Sequence, residues 1–142
     1  MKSKIEELFE EGSLFLHIKE KLPDANLTVG EMEQLAGMFL ENRSPCPAIE
    51  IYNFLGRPES LKELLQKYIM PYFENGSPHF AETIGEEIKV EMPSKEILRK
   101  IGEDYLKKGW CGAAVKILGM AGVENEEKQR LFKLYGCQLG LG

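Results

Sequence analysis

Laid over itself with an offset of 66 residues, the chain matches Met32–Lys67 to Leu98–Lys133 without a gap. Leu40 falls on Leu106, Ala48 on Ala114, Ile51 on Ile117 and Gly56 on Gly122. Lys62, Leu65 and Lys67 fall on Lys128, Leu131 and Lys133. These seven identities in 36 positions exceed the roughly two expected from average composition. Leu35 over Ile101 and Phe39 over Tyr105 are conservative matches. The coinciding positions are mainly apolar or small, where packing makes its strictest demands. A period near 66 divides into two units of about 33, a length that suggests paired helices in an α-solenoid.

The spacing of apolar residues is helical almost throughout. Ile5, Leu8 and Phe9 share a face, and Phe15, Ile18 and Leu22 extend the pattern to Pro23. Gly12 and Ser13 offer a point at which this stretch divides into two helices. Asp24 to Thr28 reads as a loop. Met32, Leu35, Ala36 and Phe39 recur at three and four residues, Asn42 to Pro47 is a turn, and Ala48, Ile51, Tyr52 and Leu55 form the next stripe. A helix from Glu59 to about Glu74 follows, which Pro71 can kink or end early. Asn75 to Pro78 is a turn, and Phe80, Ala81, Ile84 and Ile88 give a weaker stripe. Lys89 to Met92 has a strand-like composition but no evident strand partner. Pro93 and Ser94 can open the helix carrying Ile97, Leu98, Ile101 and Tyr105; helices from Cys111 to Ala121 and around Leu131, Phe132 and Tyr135 complete the chain.

Leu98, Ile101, Gly102, Tyr105, Gly109, Ala114, Leu118 and Ala121 fall on a known pattern. This stretch resembles a tetratricopeptide repeat, with Leu98 in place of the usual Trp, Leu118 in place of the usual aromatic, and Glu126 where the closing proline is expected. Met32, Leu35, Ala36, Phe39, Ala48, Tyr52 and Leu55 give a weaker copy. Between them Ile69, Phe73 and Ala81 give a degraded one whose turn is a residue short. Phe132, Tyr135 and Gly136 resemble the start of a further unit. The resemblance covers about residues 30–140. It implies an all-α fold: antiparallel helical hairpins stacked as a short right-handed α-α superhelix. The expected organisation is one domain over 1–142, with an N-terminal helical cap at 1–28, hairpins at 29–62, 63–94 and 95–128, and a C-terminal helix at 129–142.

The formal charge is −5, from 18 Lys and Arg against 23 Asp and Glu. That balance weighs against general nucleic-acid binding, which draws its affinity from basic residues meeting phosphates. No segment approaches the roughly 20 apolar residues of a membrane span, and the N-terminus lacks a secretion pattern. Cys46, Cys111 and Cys137 are odd in number, widely spaced and without CxxC spacing, so reduced, buried thiols are expected rather than a disulfide or zinc site. These features point to a cytoplasmic protein.

The segment Lys100–Gly122 holds five glycines. A phosphate loop would need a GxxxxGK or GxGxxG signature after a strand, and neither occurs. Gly102, mid-helix, costs about 1 kcal/mol relative to alanine; a closely approaching helix would explain it. Trp110 is either an anchor for a partner or a cover for the hairpin's end. Cys111 at a helix start is either an activated thiol or an inert one. His17 reads as a core-edge residue and His79 as a turn residue; they show no metal spacing. No catalytic motif is present, and no cofactor or metal is expected.

In proteins with such repeats, the first helix of each hairpin lines a concave groove. Carrying that face onto this chain implicates Glu33, Lys67, Glu74, Arg99, Glu103, Lys107, Arg130 and Lys133, with Trp110 as a further contact. Lys67, Arg99, Lys107, Arg130 and Lys133 would form a basic stripe able to hold carboxylates of a peptide, or else are ordinary solvated charges. Glu33 and Gly37 stand where the chaperone-binding subclass carries a clamp lysine and asparagine, which argues against that subclass. The expected function is a protein- or peptide-binding scaffold: an adaptor, chaperone or regulatory subunit, not an enzyme. The partner is another protein or peptide, of acidic character if the stripe binds it. The alternatives are an assembly subunit that self-associates through its terminal helices, and a small helical enzyme with a site around Cys111.

Overall fold

A computed structural model describes residues 2–137, and they are all-α, with no strand among them. The helices in order are α1 (Lys4–Phe15), α2 (Val29–Glu41), α3 (Pro45–Phe54), α4 (Glu59–Lys67), α5 (Ile69–Glu74), α6 (Pro78–Ile88), α7 (Lys95–Lys107), α8 (Cys111–Met120) and α9 (Asn125–Leu134). A single 3₁₀ turn, Lys19–Lys21, lies between α1 and α2. Lys89 to Met92 is irregular, not a strand. Two compact units are distinguished, Met1–Ile69 with Glu82–Val90, and Met70–Ala81 with Glu91–Gly142. The last five residues of the expected C-terminal helix, 138–142, lie outside the described residues. Helix α4 begins at Glu59, as expected, and α9 at Asn125.

Three hairpin turns share one backbone solution. Arg43, Gly76 and Gly109 all adopt positive φ, at 59°, 79° and 79°, and they are spaced by 33 residues. After each, an N–H reaches back across the turn: Ser44 to the Phe39 carbonyl, Ser77 to Tyr72 and Trp110 to Tyr105, each at 2.8 Å. This is the Schellman closure, which satisfies a helix's orphan carbonyls and reverses the chain. The three aromatic acceptors repeat at 33, and so do Ala48, Ala81 and Ala114 after them, all buried. The middle copy therefore has a full-length turn, contrary to the sequence reading. Tyr72, not Phe73, occupies the aromatic position; Phe73 takes the place of Leu40 and Leu106.

In the first unit α1 packs on α2, and α2 on α3 and α4. The α2 start is a capping box: Thr28 accepts from the Glu31 N–H, and the Glu31 side chain accepts from the Thr28 N–H. Gly12 and Ser13 do not divide α1, which runs through both. Gly12 instead admits the ring of Phe39, whose Cζ lies 2.4 Å from where a Cβ would stand. Pro71 has no N–H to offer the Lys67 carbonyl, and α4 ends at Lys67 with the chain resuming as α5 two residues on.

In the second unit α7 packs on α8, and α8 on α9. Gly102 has the packing role its position implied. A Cβ there would meet Leu118 Cδ2 at 2.6 Å and Cγ at 2.9 Å. Gly109 makes the turn after α7, and Gly122, with φ of 75°, ends α8. No described helix is long and apolar enough to cross a membrane.

Candidate partner-binding face

Helix α7 buries Leu98, Gly102, Tyr105 and Leu106. Arg99, Glu103 and Lys107, four residues apart, therefore share a different face, as the helical period requires. Helix α9 likewise buries Leu131 and Phe132 and exposes Arg130 and Lys133. The two helices meet at a carboxylate. Glu127 Oε1 accepts from Arg99 Nη2 at 2.8 Å and from Arg130 Nη2 at 2.5 Å, while Oε2 accepts from Arg130 Nε at 2.9 Å. The Arg130 contact is the two-pronged guanidinium–carboxylate fork.

These bonds hold the Glu127 carboxyl down to about 2, the Arg130 hydrogen bond contributing most, with Arg99 adding to it. Reciprocally, Arg130 is raised by Glu127 and, more weakly, by the charge of Glu103. Arg99, Glu103, Glu127 and Arg130 thus form one electrostatic cluster in the second unit. Lys107 and Lys133 occupy the last turns of α7 and α9, where they also complement the helix dipoles. Glu74 ends α5, exposed. Lys67, in the first unit, is exposed in the last turn of α4; there too Glu33 accepts from Ser60 Oγ at 3.2 Å.

Trp110 is both a cover and exposed. It stands at the N-cap of α8 and is 39% accessible. Its ring centroid lies 5.6 Å from that of Tyr105, with Lys108 Nζ 4.8 Å from the indole centre, a cation–π distance. Beneath it the Tyr105 hydroxyl donates to the Phe73 carbonyl. Burial pushes the Tyr105 phenol up to about 12.

The cysteines depart from expectation. Cys111 and Cys137 form a disulfide across 26 residues, and only Cys46 among the three keeps a free thiol, exposed rather than buried. The cause is topological. Helices α8 and α9 are each ten residues long and pack together. The chain leaving α9 therefore returns to the start of α8, with the two Cα atoms 5.8 Å apart, inside the range a disulfide spans. A site built on a Cys111 thiolate has no thiolate while the bridge stands. The expectation of a cytoplasmic protein leaned partly on reduced cysteines, and the bridge removes that support. The Cys46 thiol is raised by partial desolvation and by Glu50.

His17 is largely exposed, its Nδ1 3.3 Å from Glu50 Oε2. His79 lies in the first turn of α6, not in the turn before it. Among the described residues no cluster of His, Cys, Asp or Glu could hold a metal ion. Glu127 was missed by sequence reasoning, although its place in the first turn of a helix, three residues before Arg130, was a readable signal. No family model, curated protein or solved structure matches the chain.

Proposed function

We propose that the chain is a protein- or peptide-binding scaffold of tetratricopeptide-like type, its hairpins belonging to a right-handed α-α superhelix. The α7–α9 face of the second unit takes an acidic segment of the partner. The repetition of one turn geometry every 33 residues supports the repeat assignment. The convergence of Arg99 and Arg130 on Glu127 carries the functional reading. Two guanidinium groups, from α7 and α9, already grip one carboxylate, that of Glu127, and an Asp or Glu side chain of a peptide would take the same geometry in its place. Arg99, Glu103, Glu127 and Arg130 cancel in formal charge, so Lys107 and Lys133 supply the positive excess that would steer an acidic segment toward them. No residue is assigned covalent chemistry.

The test is titration of an acidic peptide against the wild-type chain and against Arg99→Glu/Lys133→Glu. The wild type is expected to bind and the reversed variant to lose at least about tenfold in affinity, with helicity by circular dichroism unchanged. Equal binding by both would discard this face.

A further inference from the structure

Opposite in character to the α7–α9 face is the corner where α1 ends. Leu14, Phe15 and Leu16 are 75%, 63% and 50% accessible, three consecutive large apolar side chains in water. The segment is held in this state by its backbone. Leu16 adopts φ of 63° and donates its N–H to the Gly12 carbonyl at 2.8 Å. A left-handed leucine costs on the order of 1 kcal/mol, so the surrounding structure enforces it. The enforcement is visible: the Glu50 carboxylate accepts from the Ile18 N–H at 2.7 Å and the Lys19 N–H at 3.2 Å, pinning the chain just beyond.

Phe15 forms a ridge between two hollows. One, of about 530 Å³, has Phe15 and Ile18 as its apolar lining and three glutamates, Glu11, Glu20 and Glu50, against Lys19 and Lys21. The second, of about 420 Å³, is lined by Leu14 and Phe15 and by Glu7, Glu10 and Glu11, with Lys2 at its edge. Its charge is negative: one lysine against three glutamates. Helix α1 itself carries Lys4 against Glu6, Glu7, Glu10 and Glu11. An apolar ridge with hollows on either side and an acidic rim is the complement of a helix that is apolar on one face and basic on its flanks.

We propose that this corner docks a basic, amphipathic helical segment of a partner protein. The apolar stripe of that helix covers Leu14, Phe15 and Leu16, and its lysines or arginines meet Glu7 and compete with Lys2 and Lys21 for Glu10 and Glu11. The charge argues against two other occupants. A second copy would bring α1 carboxylates against α1 carboxylates, and an anionic lipid surface would be repelled by the same groups. The inference is independent of the α7–α9 face, which calls for a partner of opposite sign.

The experiment uses the full chain and a labelled peptide of about 16 residues, with Leu on one helical face and Lys on the other, followed by fluorescence anisotropy. The wild type is expected to bind saturably. Leu14→Ser/Phe15→Ser and, separately, Glu7→Lys/Glu10→Lys are each expected to weaken binding at least about tenfold, with helicity unchanged. The same peptide with Glu for Lys is expected to bind at least about tenfold more weakly. No saturable binding by the wild type, unchanged affinity in either variant, or equal affinity for the Glu peptide overturns the proposal. It is also overturned if the Ser variant dissolves a wild-type dimer, or abolishes binding to phosphatidylserine vesicles, while peptide affinity stays the same.

Discussion

The indole of Trp110 closes over Gly76: a Cβ on that glycine would stand 3.0 Å from Cε3 and 3.1 Å from Cζ3. Gly109 shares the φ of 79° but has nothing within 4 Å of its missing Cβ. The pair separates two effects. Gly109→Ala is expected to cost only the left-handed strain, about 1–2 kcal/mol. Gly76→Ala adds the indole clash, for a further 1 kcal/mol or so, and shifts the emission of the only tryptophan. Chemical denaturation followed by tryptophan fluorescence measures both; equal losses would show that the indole yields freely.

At Gly102 two effects oppose each other. Alanine gains about 1 kcal/mol of helix propensity but places its methyl 2.6 Å from Leu118 Cδ2, an overpacking cost of about 1–3 kcal/mol. Gly102→Ala is therefore expected to be neutral to destabilising on its own. In a Leu118→Ala background, where only Ile117 Cγ2 at 3.1 Å still crowds the methyl, the same change should stabilise. The sign reversal is a coupling that a double-mutant cycle reads directly.

How much of this was legible beforehand follows from what each feature depends on. The hairpin of α7 and α8 depends on local spacing, and Gly102, Gly109 and Gly122 announced it. The middle copy was misregistered because Tyr72 and Phe73 are adjacent aromatics, and only the turn bonds decide which one closes the helix. Pro71 signalled a break in the chain, and the break falls at its i−4 partner, Lys67, as the missing hydrogen bond dictates. The disulfide depends on two helices of equal length packing antiparallel, which cysteine counting does not register. Arg99 and Arg130 were identified by helical face, but their shared partner Glu127 required the distance between helices.

Acid should reveal Glu127. Its carboxyl lies at about 2, below the ordinary 4.5, because the folded chain favours its ionised form. Its contribution to stability is complete above the unfolded value, near pH 4.5, and is lost as pH falls toward 2. Carboxyl carbon shifts in NMR should place the Glu127 midpoint well below 4.5. Arg130→Ala should move its midpoint upward, and a midpoint unmoved by that change would remove Arg130 as the cause.

The Cys111–Cys137 bridge closes a loop of 26 residues in sequence. Chain-entropy reasoning gives such a loop about 3.5 kcal/mol of stabilisation. Cys111→Ser/Cys137→Ser is expected to lower the stability of the second unit by up to that amount. Thiol titration of the oxidised, denatured chain should count one thiol, from Cys46, and three after reduction.

The bridge also changes what a cut means. The turn between α8 and α9, from Ala121 to Glu124, lies inside the ring that the two sulfurs close. A protease that severs it breaks the polypeptide without parting it, since α9 stays covalently attached to α8 through the sulfurs. Only a cut outside the ring detaches anything; a cut inside it is silent until a reductant opens the second connection.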